Sequence, residues 1–301
     1  MKIYIDGEFY DKEDAKISVF DHGVLYGDGI FEGIRAYNGR IFRLEDHLAR
    51  LSDSANSILL KLPMSLKELE QAICETVRLN GLRDAYIRLV VTRGVGDLGL
   101  DMRKCKKGAT IFIIADKIEL YPDKFYEEGL TLVTSTIRQK GLDQVTPSVK
   151  SLNYLANIMA RAEATASGAQ EAIMLNSTGH VSECSGDNIF FIKGGKIFTP
   201  PTSAGILVGI TRQVAMELCD QKLGIKVIER NFPRYDLYSA DEVFLTGTGA
   251  EVISAVKIDG RTIGKGVAGP MTRELIKHFR AYANSVGTPV YNEAPAAKAK
   301  A

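Results

Sequence analysis

A short antiparallel hairpin is the feature that most strongly constrains how this chain folds. The β-prone runs GIFEGIRA (29–36) and RIFRL (40–44) flank Tyr37-Asn38-Gly39. Asn-Gly tolerates the positive φ angles that a tight hairpin turn requires, so this dipeptide between β-prone runs is a strong hairpin signal. An antiparallel sheet is therefore expected in the N-terminal region.

Helix and strand patterns follow one another irregularly along the rest of the chain. Ser65 and Glu68 have the spacing of a capping box, and Gly81 stands where a helix ends. Because the patterns lack regular βαβ alternation, the sequence favours an α+β fold over a doubly wound sheet. The predicted helices cover 45–60, 66–80, 151–167, 211–223 and 270–285, and the further strands cover 85–93, 110–116, 129–137, 171–176, 188–199, 225–230 and 243–246.

The length of 301 residues suits about two domains of roughly 150 residues each. The stretch 118–128 loses apolar periodicity and contains Pro122, which is typical of a linker. We therefore expect a small α+β domain at 1–117, a linker at 118–128 and a larger α+β domain at 129–286. The segment 287–301 has no apolar periodicity and is expected to be disordered.

Composition and charge narrow the possible partners. The chain has 38 Lys and Arg residues against 37 Asp and Glu residues, a net charge of +1, so neither nucleic acid nor an anionic membrane is an expected partner. No apolar run approaches the ~18 residues that span a bilayer, and Asp6 and Glu8 interrupt any signal-peptide core. A cytoplasmic protein is expected. The four cysteines form no CxxC pair, so neither a metal site nor a disulfide framework is expected.

One motif resembles a dinucleotide-binding loop. Residues 94–99, GVGDLG, match GxGxxG after a predicted strand. A Rossmann unit needs a crossover helix at this loop, and only LDMRKCKKGA (100–109), without an apolar stripe, precedes the next strand. We interpret the motif as a glycine-rich strand connection whose glycines allow a close backbone approach.

The window TPSVKSLNYL (146–155) contains a candidate catalytic lysine. Pro147 disfavours helix before it, and an apolar stripe of Leu152, Leu155, Ile158 and Met159 follows, which places Lys150 at the mouth of an apolar helix. A lysine partly removed from water suits Schiff-base chemistry with an aldehyde cofactor, although most lysines are solvated surface groups. Tyr154, four residues on, would face the same way on a helix and is either a cofactor ligand or a core tyrosine.

Three glycine-containing segments contain further candidates. Glu183 lies in VSECSGDNIFF (181–191), in a predicted bend, where it can hold a pyridine nitrogen protonated or simply be a solvated turn residue. Thr211 in GITR (209–212) opens a helix that can bind an anion, or it is only the N-cap. Gly247-Thr248-Gly249 can cradle a phosphate or form a glycine turn. Because both cradles lack a Walker lysine, they favour a small phosphorylated cofactor over ATP.

The strand at 85–93 has one apolar face and one polar face. Tyr86 and Arg88 alternate with apolar residues and therefore lie on the same side of the sheet. Arg88 has the planar fork that binds carboxylates, but an ordinary exposed sheet face would look the same.

Taken together, these segments resemble the branched-chain amino acid aminotransferases, which are pyridoxal-phosphate enzymes of fold type IV and the class IV aminotransferase family. The resemblance covers about residues 3–283. It implies two domains, each with a mixed, antiparallel or barrel-like sheet and flanking helices. The motifs that carry it, in the order of the family, are YGDGIFEGIRAY (26–37), HLARL (47–51), AYIR (85–88), KSLNYL (150–155), VSECSGDNIFF (181–191), GITR (209–212) and DEVFLTGTGAEV (241–252).

The resemblance assigns a role to each residue of a pyridoxal 5′-phosphate site. Lys150 would carry the internal aldimine and move the proton, Glu183 would pair with the ring nitrogen, and Tyr154 would bond the ring hydroxyl. Leu207 would pack on the ring. The phosphate would be bound by Arg50, Ile210, Thr211 and Thr248.

The same resemblance implies transamination between branched-chain L-amino acids (Leu, Ile, Val) and 2-oxoglutarate by a ping-pong mechanism. Tyr86, Thr248 and Gly249 would lie near the substrate carboxylate. Tyr26 and Phe31 would line the side-chain pocket, with Tyr26 reaching across a dimer interface, in a homodimer or a dimer-based hexamer. Arg88 would accommodate the distal carboxylate of glutamate.

Departures from the family pattern keep alternatives open. Ser151-Leu152 replaces the Gly-Gly of the family and resembles the D-amino-acid aminotransferases, whereas Tyr154 favours the branched-chain branch. Cys184 replaces a common glycine. The main alternative is therefore a D-amino acid or (R)-amine aminotransferase. An aminodeoxychorismate lyase fits the AYIR strand poorly, and a non-catalytic ligand-binding homologue would not need the three site residues Lys150, Tyr154 and Glu183.

Overall fold

The computed structural model describes residues 1–118 and 120–291. In these ranges the chain forms eight α-helices, which are α1 (His22–Tyr26), α2 (Leu44–Ser57), α3 (Leu66–Leu79), α4 (Asp123–Glu128), α5 (Leu155–Ala166), α6 (Ile210–Leu223), α7 (Arg234–Tyr238) and α8 (Pro270–Ala283). It also forms sixteen strands, which are β1 (Lys2–Ile5), β2 (Glu8–Asp11), β3 (Gly29–Tyr37), β4 (Arg40–Ile41), β5 (Ala85–Thr92), β6 (Thr110–Asp116), β7 (Leu130–Thr134), β8 (Glu171–Leu175), β9 (Val181–Cys184), β10 (Asn188–Lys193), β11 (Lys196–Thr199), β12 (Ile228–Glu229), β13 (Glu242–Gly247), β14 (Glu251–Ile258), β15 (Arg261–Thr262) and β16 (Thr288–Pro289). None of the helices in these ranges is long and apolar enough to cross a membrane.

The chain divides into two compact units. The first unit contains 1–118 and the returning segment 283–291, and the second contains 120–282. Each unit combines one sheet with helices, which confirms the α+β class.

The first unit is built on a seven-stranded sheet in the order β16-β4-β3-β5-β6-β1-β2, with antiparallel pairing throughout. The predicted hairpin is confirmed, with Asn38 and Gly39 at φ 52° and 77° between β3 and β4. Helices α2 and α3 cover the sheet with buried leucine and isoleucine side chains, among them Leu51 and Ile73. The Ser65 capping box is also confirmed.

The GVGDLG segment is a strand connection, as predicted. It lies between β5 and β6, which pair antiparallel with each other from Tyr86–Asp116 to Thr92–Thr110. A Rossmann crossover would join parallel strands, so this pairing excludes a dinucleotide fold at the motif.

The second unit is built on a curled mixed sheet in the order β12-β11-β10-β13-β14-β7-β8-β9, with β15 paired to β14. Strands β7 and β8 are parallel, so the chain between them makes a crossover, and α5 lies in that crossover. Helix α5 packs through Ala160 and Ala164, which are fully buried. The predicted apolar stripe is on its other side, because Leu155 and Ile158 are 71% and 61% exposed.

The structure differs from several predicted boundaries. Within the expected linker, 123–128 forms α4, because its aromatic side chains Phe125 and Tyr126 pack on the core of the second unit. The expected disordered tail begins with β16, which pairs with β4, and Val290 is buried in the first unit. The remainder of that predicted tail, 292–301, lies outside the described residues.

Candidate active site

Lys150 lies in a turn before α5, so its predicted place at a helix mouth is wrong. The helix begins only at Leu155, because the backbone of 149–154 closes two short turns, Ser151 N–H to Val149 C=O and Tyr154 N–H to Leu152 C=O. This turn still brings the predicted pair together. Lys150 Nζ donates to the Tyr154 hydroxyl at 3.2 Å.

Glu183 lies on strand β9, and not in the bend that the sequence predicted. The bend is at 185–187, where the chain turns from β9 into β10. The Glu183 carboxylate is buried and accepts hydrogen bonds on both oxygens. Oε1 accepts from Gln139 Nε2 at 2.7 Å, and Oε2 accepts from Asn188 Nδ2 and the Leu207 N–H, both at 3.0 Å.

The environment of Glu183 shifts the pKa of its carboxyl group. Burial raises its pKa to about 8, against the opposing effects of the Leu207 N–H, the positive charge of Lys150 and the Gln139 amide. Three donors directed at one carboxylate favour its ionised form, as does the charge of Lys150, whereas burial, the largest effect, disfavours it. The Glu183 carboxylate is therefore suited to pair with a cationic ligand atom.

The loop before α6 brings together the next predicted residues. Leu207 donates its N–H to Glu183 and accepts from Asn188 Nδ2 through its carbonyl. Gly209, and not Thr211, is the N-cap of α6, because Ile210 already adopts helical geometry. A Cβ at Gly209 would lie 2.1 Å from Asn188 Oδ1, so only glycine allows this approach.

The N-terminus of α6 is a candidate anion site. No side chain within the described ranges caps this 14-residue helix, so the N–H groups of Ile210 and Thr211 are available to a ligand at the positive end of the helix dipole. Both residues are buried.

Thr248 and Gly249 lie in the three-residue connection between β13 and β14. Gly247, at the end of β13, is pressed against the β9–β10 turn, since a Cβ there would lie 1.9 Å from Asp187 Oδ1. Burial and the neighbouring Glu171 raise the pKa of Asp187.

In the first unit, Phe31, Tyr86 and Arg88 form a cluster on one face of the β3–β5 pair. The register pairs Gly33 with Arg88, which puts these side chains on the same side of the sheet. The Arg88 guanidinium lies 4.5 Å from the Phe31 ring centre, and Arg88 Nη2 donates to the Tyr86 hydroxyl at 3.0 Å. Gly33 provides the space for that hydroxyl, which a Cβ would approach to 2.2 Å.

Arg50 and Tyr26 lie elsewhere in the first unit. Arg50 binds Glu32 through both carboxylate oxygens, at 2.8 and 2.7 Å, and His47 Nδ1 lies 2.8 Å from the same carboxylate. Burial opposes ionisation of Glu32, but Arg50 and His47 outweigh it and lower its pKa to about 2. The Tyr26 hydroxyl accepts from the Gly99 N–H at 2.8 Å.

Four residues near these groups had no role predicted from the sequence: Gln139, Lys140, Asp187 and Asn188. Asn188 and Asp187 are part of the VSECSGDNIFF motif, so their position next to Glu183 in the sequence was the available signal. Gln139 lies 44 residues from Glu183, and no local pattern links the two.

Comparison with known proteins supports one family. Residues 29–258 match the model of the amino-transferase class IV family. The chain is 49% identical over 293 residues to a protein of Methanocaldococcus jannaschii named "Putative branched-chain-amino-acid aminotransferase", covering 97% of this chain and 100% of the relative.

Solved structures give the same result. The branched-chain aminotransferase of Thermoproteus uzoniensis with norvaline has a TM-score of 0.89 at 39% identity, covering 97% of this chain and 99% of that one. A T.th. branched-chain amino acid aminotransferase complexed with N-(5′-phosphopyridoxyl)-L-glutamate has a TM-score of 0.87 at 37% identity, covering 94% of each chain. The chain therefore belongs to the class IV aminotransferases, in the family of the branched-chain amino acid aminotransferases.

Proposed function

We propose that this protein is a pyridoxal-phosphate-dependent aminotransferase that exchanges amino groups between branched-chain L-amino acids and 2-oxoglutarate. The second unit contains two arrangements that carry the proposal. Lys150 donates a hydrogen bond to the Tyr154 hydroxyl, and the buried Glu183 carboxylate accepts hydrogen bonds from three donors. Solved relatives bound to a phosphopyridoxyl adduct and to norvaline support the same cofactor and substrate class.

The residues of the second unit fit pyridoxal 5′-phosphate. Buried Glu183 suits the protonated ring nitrogen, the Tyr154 hydroxyl suits the ring oxygen, and Leu207 suits the ring face. The uncapped N–H groups of Ile210 and Thr211, with Thr248, suit the phosphate, to which the family resemblance adds Arg50. When bound, such a cofactor withdraws electrons from the substrate Cα.

Each protein group then has a definite task. Lys150 would hold the aldehyde-bearing cofactor through Nζ, and the same amine would move the proton between the substrate Cα and the cofactor carbon C4′. Tyr154 orients Nζ through its hydroxyl. Glu183 would hold the proton on the ring nitrogen, because an ionised carboxylate in a buried site strongly favours an adjacent cation.

The residues assigned to the substrate follow from the family resemblance. Phe31 and Tyr26 provide the side-chain pocket. Tyr86, Thr248 and Gly249 bind the α-carboxylate, while Arg88 accepts the distal carboxylate of glutamate. The resemblance also favours a cytoplasmic homodimer or dimer-based hexamer.

A donor panel tests this function. With 2-oxoglutarate as acceptor, L-leucine, L-isoleucine and L-valine should be converted, and D-alanine and (R)-1-phenylethylamine should not. Preference for the last two would instead support the D-amino acid or amine alternative.

Lys150→Ala should abolish turnover and the yellow colour of the loaded protein, because no other group is assigned to hold the aldehyde. The circular dichroism spectrum should stay native, since Lys150 is only partly buried in a turn. Turnover like that of the unsubstituted protein would disprove the mechanism.

A further inference from the structure

Gln139 is buried and makes two side-chain hydrogen bonds in the second unit. Its Nε2 donates to Glu183 Oε1 at 2.7 Å, and its Oε1 accepts from the Lys140 N–H at 2.9 Å. The second bond fixes the orientation of the amide, so that its NH₂ group faces the carboxylate. The backbone is held as well, because the Gln139 N–H donates to the Leu175 carbonyl at 3.0 Å.

Lys140, the next residue, contacts the turn that contains Lys150. Lys140 Nζ donates to the Asn153 carbonyl at 2.6 Å, inside the turn between Lys150 and Tyr154. Lys140 is only partly exposed, and burial lowers its pKa. A charged donor on a carbonyl is a strong hydrogen bond, so it restrains the backbone of this turn.

We propose that Gln139 and Lys140 are positioning residues that hold the two ends of the cofactor site. Gln139 sets the orientation of Glu183 at the ring nitrogen, and Lys140 sets the turn that presents Lys150 Nζ at the aldehyde carbon. Adjacent residues thereby hold two groups that lie 33 positions apart in the sequence, Lys150 and Glu183. This inference rests on the proposed function.

The two roles predict separate effects. Loss of the Gln139 donor disturbs Glu183 at the ring nitrogen and should weaken the binding of any ligand with a pyridine ring. Loss of the Lys140 ammonium acts on the turn and should slow covalent coupling to Lys150 without changing affinity for the ring. A residue that only stabilises the fold would change both properties together.

The first experiment measures binding of pyridoxamine phosphate to the cofactor-free protein, because this amine cannot couple to Lys150. Gln139→Met should weaken binding about 10-fold, as expected for a charge-assisted hydrogen bond. In a Glu183→Gln background, Gln139→Met should weaken pyridoxamine phosphate binding by less than about a further 2-fold, because Gln139 and Glu183 act through one contact. Gln139→Asn, which is too short to reach Glu183, serves if the methionine variant does not fold.

The second experiment follows the appearance of colour when pyridoxal phosphate couples to the cofactor-free protein. Lys140→Met should slow coupling about 10-fold, since small misplacements of a reacting group are costly. Its affinity for pyridoxamine phosphate should change less than about 2-fold, and Lys140→Arg should restore most of the rate. Exposed Lys226 provides the control, as Lys226→Met should couple at the original rate.

The outcomes separate this inference from the proposed function. Normal pyridoxamine phosphate affinity in Gln139→Met, or normal coupling in Lys140→Met, would overturn the role of that residue while the proposed function stands. If the unsubstituted protein bound neither compound, the proposed function itself would fail, and this inference with it.

Discussion

At the scale of single residues, the chemistry depends on how buried charges are compensated. Glu32 is compensated inside the first unit by Arg50 and His47, and its pKa is lowered to about 2. Among the described residues, Glu183 has only neutral donors in hydrogen-bond contact, and burial raises its pKa to about 8. The first carboxylate is therefore structural, and the second suits a ligand that brings the positive charge.

The raised pKa of Glu183 predicts a pH-dependent stability. Folded cofactor-free protein keeps this proton up to about pH 8, whereas the unfolded chain releases it near the ordinary value of 4.5. The free energy of unfolding therefore falls as the pH rises through this window.

The Glu183→Gln variant has no carboxyl proton at this position, so comparing it with the unsubstituted protein isolates the contribution of Glu183. The free energy of unfolding is measured with denaturant and without cofactor. Between pH 5 and pH 8, that of the unsubstituted protein should fall by on the order of 2–4 kcal/mol relative to that of the variant. A difference that stays constant with pH would contradict the raised pKa.

Arg88 should matter for only one of the two substrates. A charge-assisted hydrogen bond to a carboxylate contributes about 1.5–3 kcal/mol, and leucine has no distal carboxylate. Arg88→Leu should therefore lower kcat/KM for the glutamate half-reaction about 10- to 200-fold and for L-leucine less than about 3-fold.

Single-turnover kinetics with each amino donor tests the Arg88 prediction. Arg273→Leu, at an exposed site on α8, is the matched control and should change neither half-reaction. Equal losses with both donors would assign Arg88 to the α-carboxylate or to the structure of the sheet.

At the scale of elements, the candidate site depends on two connections that pack against each other. The β9–β10 turn holds Asp187, and the end of β13 holds Gly247 with no space for a side chain between them. The turn is anchored on its other side by Glu171, whose carboxylate accepts from the Ser185 N–H at 3.1 Å and pairs with Arg161. Movement of either connection would displace Thr248 and Gly249.

Gly247→Ala should therefore damage the candidate site. The added methyl group would meet Asp187 Oδ1 at 1.9 Å, so the connection must shift, at a cost of about 1–3 kcal/mol in stability. Activity should fall at least about 10-fold, as small displacements suffice.

Gly186→Ala is the matched control for this element. Its Cβ would meet nothing closer than Glu171 Oε2 at 4.0 Å. Thermal unfolding and steady-state kinetics of both variants make the comparison, and equal behaviour would show that the Gly247 contact is not required.

At the scale of the whole molecule, the first unit is completed by the end of the described chain. From the last residue of α8, Ala283, the chain returns to this unit, where β16 pairs with β4. Val290 is fully buried there, and its carbonyl accepts from the Arg78 guanidinium at 2.7 Å. Residues far apart in the sequence therefore form one hydrophobic core.

Val290→Ala should lower the free energy of unfolding by about 1–3 kcal/mol, because it removes two buried methyl groups and leaves a cavity. Val267→Ala, at a position that is 55% exposed, should change it by less than about 0.5 kcal/mol. Denaturant unfolding followed by circular dichroism measures both. If the two valines behaved alike, the returning segment would not be part of the core.

Short-range signals in the sequence determined much of the local structure. The Asn38-Gly39 hairpin, the Ser65 capping box and the end of α6 at Leu223 were all predicted. Each depends on backbone preferences and on bonds between residues close in the chain, which the sequence displays directly.

The contacts of the candidate site were decided by the tertiary structure. Lys150 and Tyr154 meet as predicted, yet in a turn and not on a helix, because the local backbone bonds of 149–154 delay the start of α5. Glu183 receives donors from Gln139 and Leu207, which are 44 and 24 residues away. Sequence spacing carries no information about such partners, since strand pairing and the crossover between β7 and β8 bring them together.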